Sequence, residues 1–131
     1  MMDLNQVTLP AVDLRESVDF YTRMGFLQIV DSPHYARFEC PDGDATFSLH
    51  AVDTASAQSG VTIYFEHEAL DELCSELQAR GFEFEQAPVD RSWLWREAIL
   101  IDPAGNRTCL YRAGNNRKHP PRRVARSIDG P

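Results

Sequence analysis

The sequence predicts an α+β fold made of two tandem β-α-β-β-β modules. Each is a curved mixed sheet backed by one helix, and the sheets are set around a cleft. Three observations lead there. The strand and helix patterns recur at a constant offset of 56 residues, so that Leu9 meets Phe65, Leu14 meets Leu70, Tyr21 meets Leu77 and Gly25 meets Gly81. A repeat of this size signals a duplicated supersecondary unit. Apolar residues alternate at period two in short runs and at helical spacing in two longer ones. Pro41-Asp42-Gly43-Asp44 and Asp102-Pro103-Ala104-Gly105-Asn106 are turn sequences between such runs.

In module one, residues 5–10 read as a strand with Val7 and Leu9 on one face and Gln6 and Thr8 on the other. Asp13 is an expected N-cap, with Glu16 three residues on as in a capping box. Leu14, Val18, Tyr21 and Met24 form the helical stripe, and Gly25 is the expected stop. Strands follow at 26–30, 35–40 and 45–51. Residues 52–60 are small and polar and form a linker. Module two repeats the order: a strand at 61–66, a helix through Leu70, Leu73, Cys74 and Leu77 up to Gly81, and strands at 82–86, 98–101 and 107–112. Residues 87–96, with Pro88, Trp93 and Trp95, are expected to be a loop. The domain is therefore 1–112, with module one at 4–51 and module two at 61–112, followed by a tail at 113–131.

With 131 residues, 43% hydrophobic and 25% charged, the chain suits one soluble domain with a real core. No apolar run approaches the ~20 residues that span a bilayer, so no membrane role is expected. Residues 1–5 lack the basic and apolar stretches of a signal peptide, and the cytoplasm is the expected compartment. Net charge is −7. Arg117, Lys118, Arg122, Arg123 and Arg126 face only Asp129 in the tail, leaving +4 there and −11 on residues 1–112. An acidic body argues against nucleic acid as partner. The tail is expected to fray or to lie back on that body. Cys40, Cys74 and Cys109 fit neither a zinc site nor a disulfide framework.

If the helices cover one face of each sheet, alternation puts Gln6, Thr8, Arg37, Glu39, Ser48, His50, Thr62, Tyr64, Cys109 and Tyr111 on the opposite faces. A concave, half-polar surface of this kind is the default binding-site expectation. His50 could act as a general base or, with Glu39, as a metal ligand. It equally suits a half-exposed strand histidine. Arg37 could clamp a carboxylate or phosphate, or pair with Glu39 at the sheet edge. Trp93 and Trp95 could stack on a flat or cationic ligand or plug a contact. Cys109 as a nucleophile would need a neighbouring base.

The runs Leu9-Pro10-Ala11-Val12-Asp13-Leu14, Ser17-Val18-Asp19-Phe20-Tyr21, Asp102-Pro103-Ala104-Gly105-Asn106 and Leu110-Tyr111 resemble the vicinal oxygen chelate superfamily. Glyoxalase I, extradiol dioxygenases, fosfomycin-resistance enzymes and bleomycin-resistance proteins belong to it. The resemblance covers about residues 4–112. It implies a homodimer and, in the enzymes, a divalent metal held between modules by His and Glu. The positions it implies as ligands here are Gln6, a ligand in some glyoxalase I enzymes, then Ser48, Thr62 and Cys109. Neutral oxygens and one thiol bind transition metals poorly. The expectation is a small-molecule binding protein without metal or other cofactor, its cleft lined by Gln6, Arg37, Glu39, His50, Tyr64, Trp95 and Tyr111. The alternative is a lyase or dioxygenase whose irregular site, through Gln6, His50 and Glu39, holds zinc, nickel, manganese or iron.

Overall fold

The computed structural model describes residues 2–54 and 60–124. Module one runs β1 (Gln6–Ala11), α1 (Leu14–Met24), β2 (Leu27–Asp31), β3 (Tyr35–Glu39) and β4 (Thr46–Ala51). Module two runs β5 (Thr62–Glu66), α2 (Leu70–Ala79), β6 (Gln86–Asp90), β7 (Arg96–Ile101) and β8 (Arg107–Arg112). The sheets have equivalent orders, β1-β4-β3-β2 and β5-β8-β7-β6. Each holds one parallel pair, β1 with β4 and β5 with β8, and is otherwise antiparallel. The predicted fold class is the observed one, with one helix behind each sheet.

Local chemistry sets the helix ends. The Asp13 carboxylate accepts from the Glu16 amide at 3.1 Å, which satisfies one orphan donor of the first turn of α1. Gly25 ends α1 at φ 113°, a conformation open to glycine at little cost. The buried stripe of α1 is Ser17, Phe20, Tyr21 and Met24, and that of α2 is Leu70, Cys74 and Leu77. Among the described residues no helix is long and apolar enough to cross a membrane.

Two boundaries differ from the sequence expectation. Residues 82–86 were expected as a strand, but residues 82–85 lie outside any strand and β6 begins at Gln86. Phe82 is drawn into the core, where its ring meets Phe20 edge-on at 5.2 Å and the Arg23 guanidinium covers it at 4.6 Å. The expected loop 87–96 is consequently shorter, because Pro88 lies inside β6. An edge strand tolerates proline, since one side of it needs no donor, and the ladder shifts register between Gln86 and Val89. Second, β7 begins at Arg96 rather than at 98, which brings Glu97 into the sheet.

The helix-bearing sides of the two sheets share one core. Phe47 on β4 meets Phe65 on β5 at 5.5 Å, and Phe26 meets Phe65 at 4.5 Å. Asp102 is the polar joint. Its carboxylate accepts from the Tyr21 hydroxyl at 2.6 Å, the Ala104 and Asn106 amides at 3.0 and 2.9 Å, and the Asn106 side-chain nitrogen at 2.8 Å. Asn106 also donates to the Pro10 carbonyl at 3.0 Å, which ties the turn of module two to the first strand of module one. Burial, and then the Asp102 charge, push the Tyr21 phenol far above its ordinary range, so it remains a donor. The start of the tail lies back on the body. The Glu66 carboxylate accepts from the Ala113 and Gly114 amides at 3.0 and 2.9 Å. Linker residues 55–59 and tail residues 125–131 lie outside the described residues.

Candidate ligand-binding faces

Because the modules pack through their helix sides, their polar faces turn away from the shared core. On module one the register sets Thr8 and Arg37 on either side of Ser48, and Pro10 and Tyr35 on either side of His50. A hydrogen-bond chain crosses this face. The Thr46 hydroxyl donates to the Gln6 amide oxygen in a very short contact. The Gln6 amide nitrogen donates to Ser48 Oγ at 2.6 Å, and Ser48 Oγ is tightly bonded to Tyr35 Oη. Arg37 Nε donates to the same phenol oxygen at 2.9 Å. The Ser48 bond, and after it Arg37, hold the Tyr35 phenol below its usual value against the opposing effect of burial.

His50 and Glu39 share this face and stand apart from the chain. His50 lies opposite Tyr35 and Glu39 opposite Thr46, four residues apart along the β3–β4 ladder. That is ~13 Å at ~3.3 Å per residue, too far for one ion to bridge without both side chains fully extended towards it. Among the described residues neither side chain forms a hydrogen bond or an ion pair, so Arg37 and Glu39 make no edge pair and nothing orients the His50 ring as a base.

Module two presents an aromatic cluster. Trp95 stacks on Tyr111 with centroids 4.7 Å apart and planes at 22°. Tyr64 stands edge-on to both, at 6.2 Å from Trp95 and 5.7 Å from Tyr111. The tight turn before β7 aims Trp95: Arg91 N donates to Trp95 O at 2.8 Å, and Leu94 holds a left-handed φ of 67°, a costly conformation for leucine. The indole nitrogen donates to the Asn116 carbonyl at 3.2 Å. Tyr64 is 52% exposed, so the cluster is open on one side. Trp93 is exposed instead, with the Arg91 guanidinium 5.8 Å from its ring centre.

Beside the aromatics lies a charged group that the sequence analysis missed. Glu97 is 8% exposed. It accepts from Arg91 Nε at 3.1 Å and from the Cys109 thiol at 3.7 Å, and Arg91 also bonds Gln86. Starting β7 two residues late hid it, although Trp95, Glu97 and Ile99 alternate. Tyr35 and Thr46 were missed as well, though each falls on the polar side of its strand.

The structure thus brings Gln6, Ser48 and Arg37 together on module one, and Tyr64, Trp95, Tyr111 and Cys109 on module two. The two groups approach each other along the β1 and β5 edges, where Gln6, Thr46, Thr62 and Tyr64 border a cavity of about 340 Å³.

These donors do not fit a divalent metal ion. Gln6 and Ser48 are engaged with Thr46 and Tyr35, and the Cys109 thiol is a donor to Glu97. Burial and then the Glu97 charge push that thiol up to about 12, so it is not an activated nucleophile near neutral pH. Among the described residues no three His, Cys, Asp or Glu side chains gather into a metal-binding group. Burial likewise raises Cys40, and it raises Cys74 to about 11. Cys74 and Cys109 should therefore react with iodoacetamide at pH ~8 at least ~10-fold more slowly in the native protein than in the unfolded one. Peptide mapping after timed labelling checks this, and rapid native labelling of Cys109 would contradict the buried thiol–carboxylate contact.

The chain is 28% identical over 124 residues to the anthracycline biosynthesis protein DnrV of Streptomyces peucetius, covering 81% of this chain and 45% of that protein. It therefore spans about half the length of that curated relative. Its fold superposes on a glyoxalase/bleomycin resistance protein/dioxygenase from Nocardioides with a TM-score of 0.74 at 23% identity, over 95% of this chain and 91% of the other. A bleomycin-binding protein crystallised with bleomycin gives a TM-score of 0.72 at 21% identity, over 85% and 98%. Residues 3–110 match the model of the Glyoxalase/Bleomycin resistance protein/Dioxygenase superfamily, and the chain belongs to that superfamily.

Proposed function

We propose that this protein binds a flat organic molecule, without a metal, in a pocket completed by a second copy of the chain. The observation that carries the proposal is the open aromatic cluster of Tyr64, Trp95 and Tyr111 on a face directed away from the core. Stacked and edge-on rings bind planar π surfaces, and a half-exposed tyrosine edge leaves room for one more ring. The bleomycin-binding relative and the anthracycline-biosynthesis relative support an organic ligand by analogy of fold and sequence.

The same geometry supports a homodimer. A face that looks outward needs an opposite wall to become a pocket, and the chain's own second module is on the wrong side of the core. The exposed edge strand β2 carries Leu27 and Ile29, and unpaired edges of this kind are normally covered. The metal-dependent lyase or dioxygenase alternative loses support because Glu39 and His50 stand four residues apart along the β3–β4 ladder.

Sedimentation velocity of the purified chain should show a dimer at micromolar concentration. Tryptophan fluorescence should be quenched saturably by members of a panel of planar aromatic compounds. Dialysis after incubation with zinc, nickel, manganese or iron should leave no near-stoichiometric metal. A strictly monomeric protein that quenches with none of the panel would defeat the proposal, and one retained metal per chain would restore the enzyme alternative.

A further inference from the structure

The hydrogen-bond chain on module one specifies what its ligand must carry. The Gln6 amide accepts from Thr46 and donates to Ser48 Oγ. In the Ser48–Tyr35 bond either oxygen can donate, and with Ser48 as the donor its hydrogen goes to Tyr35 Oη. Arg37 Nε gives a second hydrogen to the same oxygen. The phenol oxygen then has both lone pairs filled and its own O–H directed away from both donors. The terminal nitrogens of Arg37 form no hydrogen bond or ion pair among the described residues. The patch thus leaves the terminal N–H groups of Arg37 free, with their full positive charge, while the Glu39 carboxylate, also unpaired among the described residues, lies two residues further along β3.

We propose that Arg37 and Tyr35 form a carboxylate-recognition site, so that the organic ligand is an aromatic or polycyclic acid whose carboxylate meets module one while its rings meet an aromatic cluster of module two. This deepens the ligand-binding reading and rests on it. A guanidinium presents two parallel N–H groups that match the two oxygens of a carboxylate. Here its aim is fixed, because Nε is held by Tyr35 and the guanidinium lies 5.4 Å from the centre of that ring. The Thr46–Gln6–Ser48 relay fixes Tyr35 in turn. An incoming carbonyl or amide could use the same donors, but only an anion neutralises Arg37. Hydrogen bonds to charged groups are worth roughly tenfold to a hundredfold in affinity. The lowered phenol ionisation agrees with an oxygen surrounded by donors. The net charge of −7 repels anions at long range, but at ~0.1 M salt that repulsion is screened beyond ~10 Å, and the local cation decides.

The test uses benzoate and its neutral isostere benzamide as probes, measured by calorimetry on the full chain at that ionic strength. Benzoate should bind in the low-millimolar range, as suits a fragment, and benzamide at least ~10-fold more weakly. Arg37→Gln should remove the difference between the two probes. Arg37→Lys, which keeps the charge and loses the fork, should retain part of it, and Tyr35→Phe should weaken benzoate several-fold. Circular dichroism and thermal melts confirm that each variant is folded. Equal binding of the two probes, or benzoate binding unaffected by Arg37→Gln, overturns the carboxylate assignment and leaves the aromatic-ligand proposal standing. No saturable binding of either probe, together with no quenching by the planar panel, overturns both.

Discussion

Asp102→Ala is expected to lower stability by about 3–5 kcal/mol, the largest effect of any single polar substitution proposed for this chain. The carboxylate is 3% exposed and receives four hydrogen bonds, two from backbone amides and one each from Tyr21 and Asn106. Deleting it leaves the Tyr21 hydroxyl with only Thr108, at 3.5 Å, takes the acceptor from the Ala104 and Asn106 backbone amides, and leaves the Asn106 side-chain nitrogen with only the Pro10 carbonyl. Each buried donor left unsatisfied costs about 1–3 kcal/mol. A domain of this size has only about 5–15 kcal/mol in total, so the midpoint should fall by about 10–20 °C. Tyr21→Phe removes one of the four bonds and should cost about 1.5–3 kcal/mol. The double variant should be less destabilised than the sum, because both changes remove the same bond. Because Asp102 joins the modules, the variant should still unfold in one transition at a lower temperature. A drop of only a degree or two would show that the turn, and not the carboxylate, holds the modules together.

The pattern of the sequence showed the modules because both periodicities are local. Asp13, Gly25 and the two turns act within a few residues of themselves, and a 56-residue offset is visible without any knowledge of contacts. Phe82 shows where local pattern stops. Phe82 and Phe84 alternate like strand residues, but the ring of Phe82 finds Phe20 on the other module, and that contact ends the alternation. Packing between elements distant in sequence won over a two-residue period.

The site was legible in composition more than in arrangement. Alternation put Gln6, Arg37 and Ser48 on one face, and the register of β1, β3 and β4 brings them together. The expectation set both polar faces around a cleft between the modules, and alternation could not read how the sheets face each other. That is decided by Phe47, Phe26 and Phe65 meeting across the modules, which turns the helix sides inward and the polar faces outward. It also could not show that Asp102-Pro103-Ala104-Gly105-Asn106, the motif most characteristic of the superfamily resemblance, is a structural joint. Tyr21 and Asn106 reveal this only through contacts spanning 81 and 96 residues.

Trp95→Ala is expected to lower affinity for a planar ligand by roughly tenfold to a hundredfold, as suits a lost stacking partner of high area. The loss should exceed that from Tyr64→Ala, since Tyr64 meets its neighbours by its edge while Trp95 and Tyr111 form the stack. Two functions of the indole have to be separated, because its nitrogen also holds the Asn116 carbonyl. Trp95→Phe keeps a ring over Tyr111 and loses that tether. Its affinity should stay within several-fold of the parent, while hydrogen exchange at residues 114–117 accelerates. Trp93→Ala is the control: that ring is exposed, has the Arg91 guanidinium 5.8 Å from its centre, and should leave affinity unchanged. If Trp93→Ala weakens binding more than Trp95→Ala, the ligand lies on the outer side of the β6–β7 turn, and the stack on Tyr111 is packing. If Trp95→Phe loses affinity as fully as Trp95→Ala, the tether carries the effect, and the segment after β8 is itself a wall of the pocket.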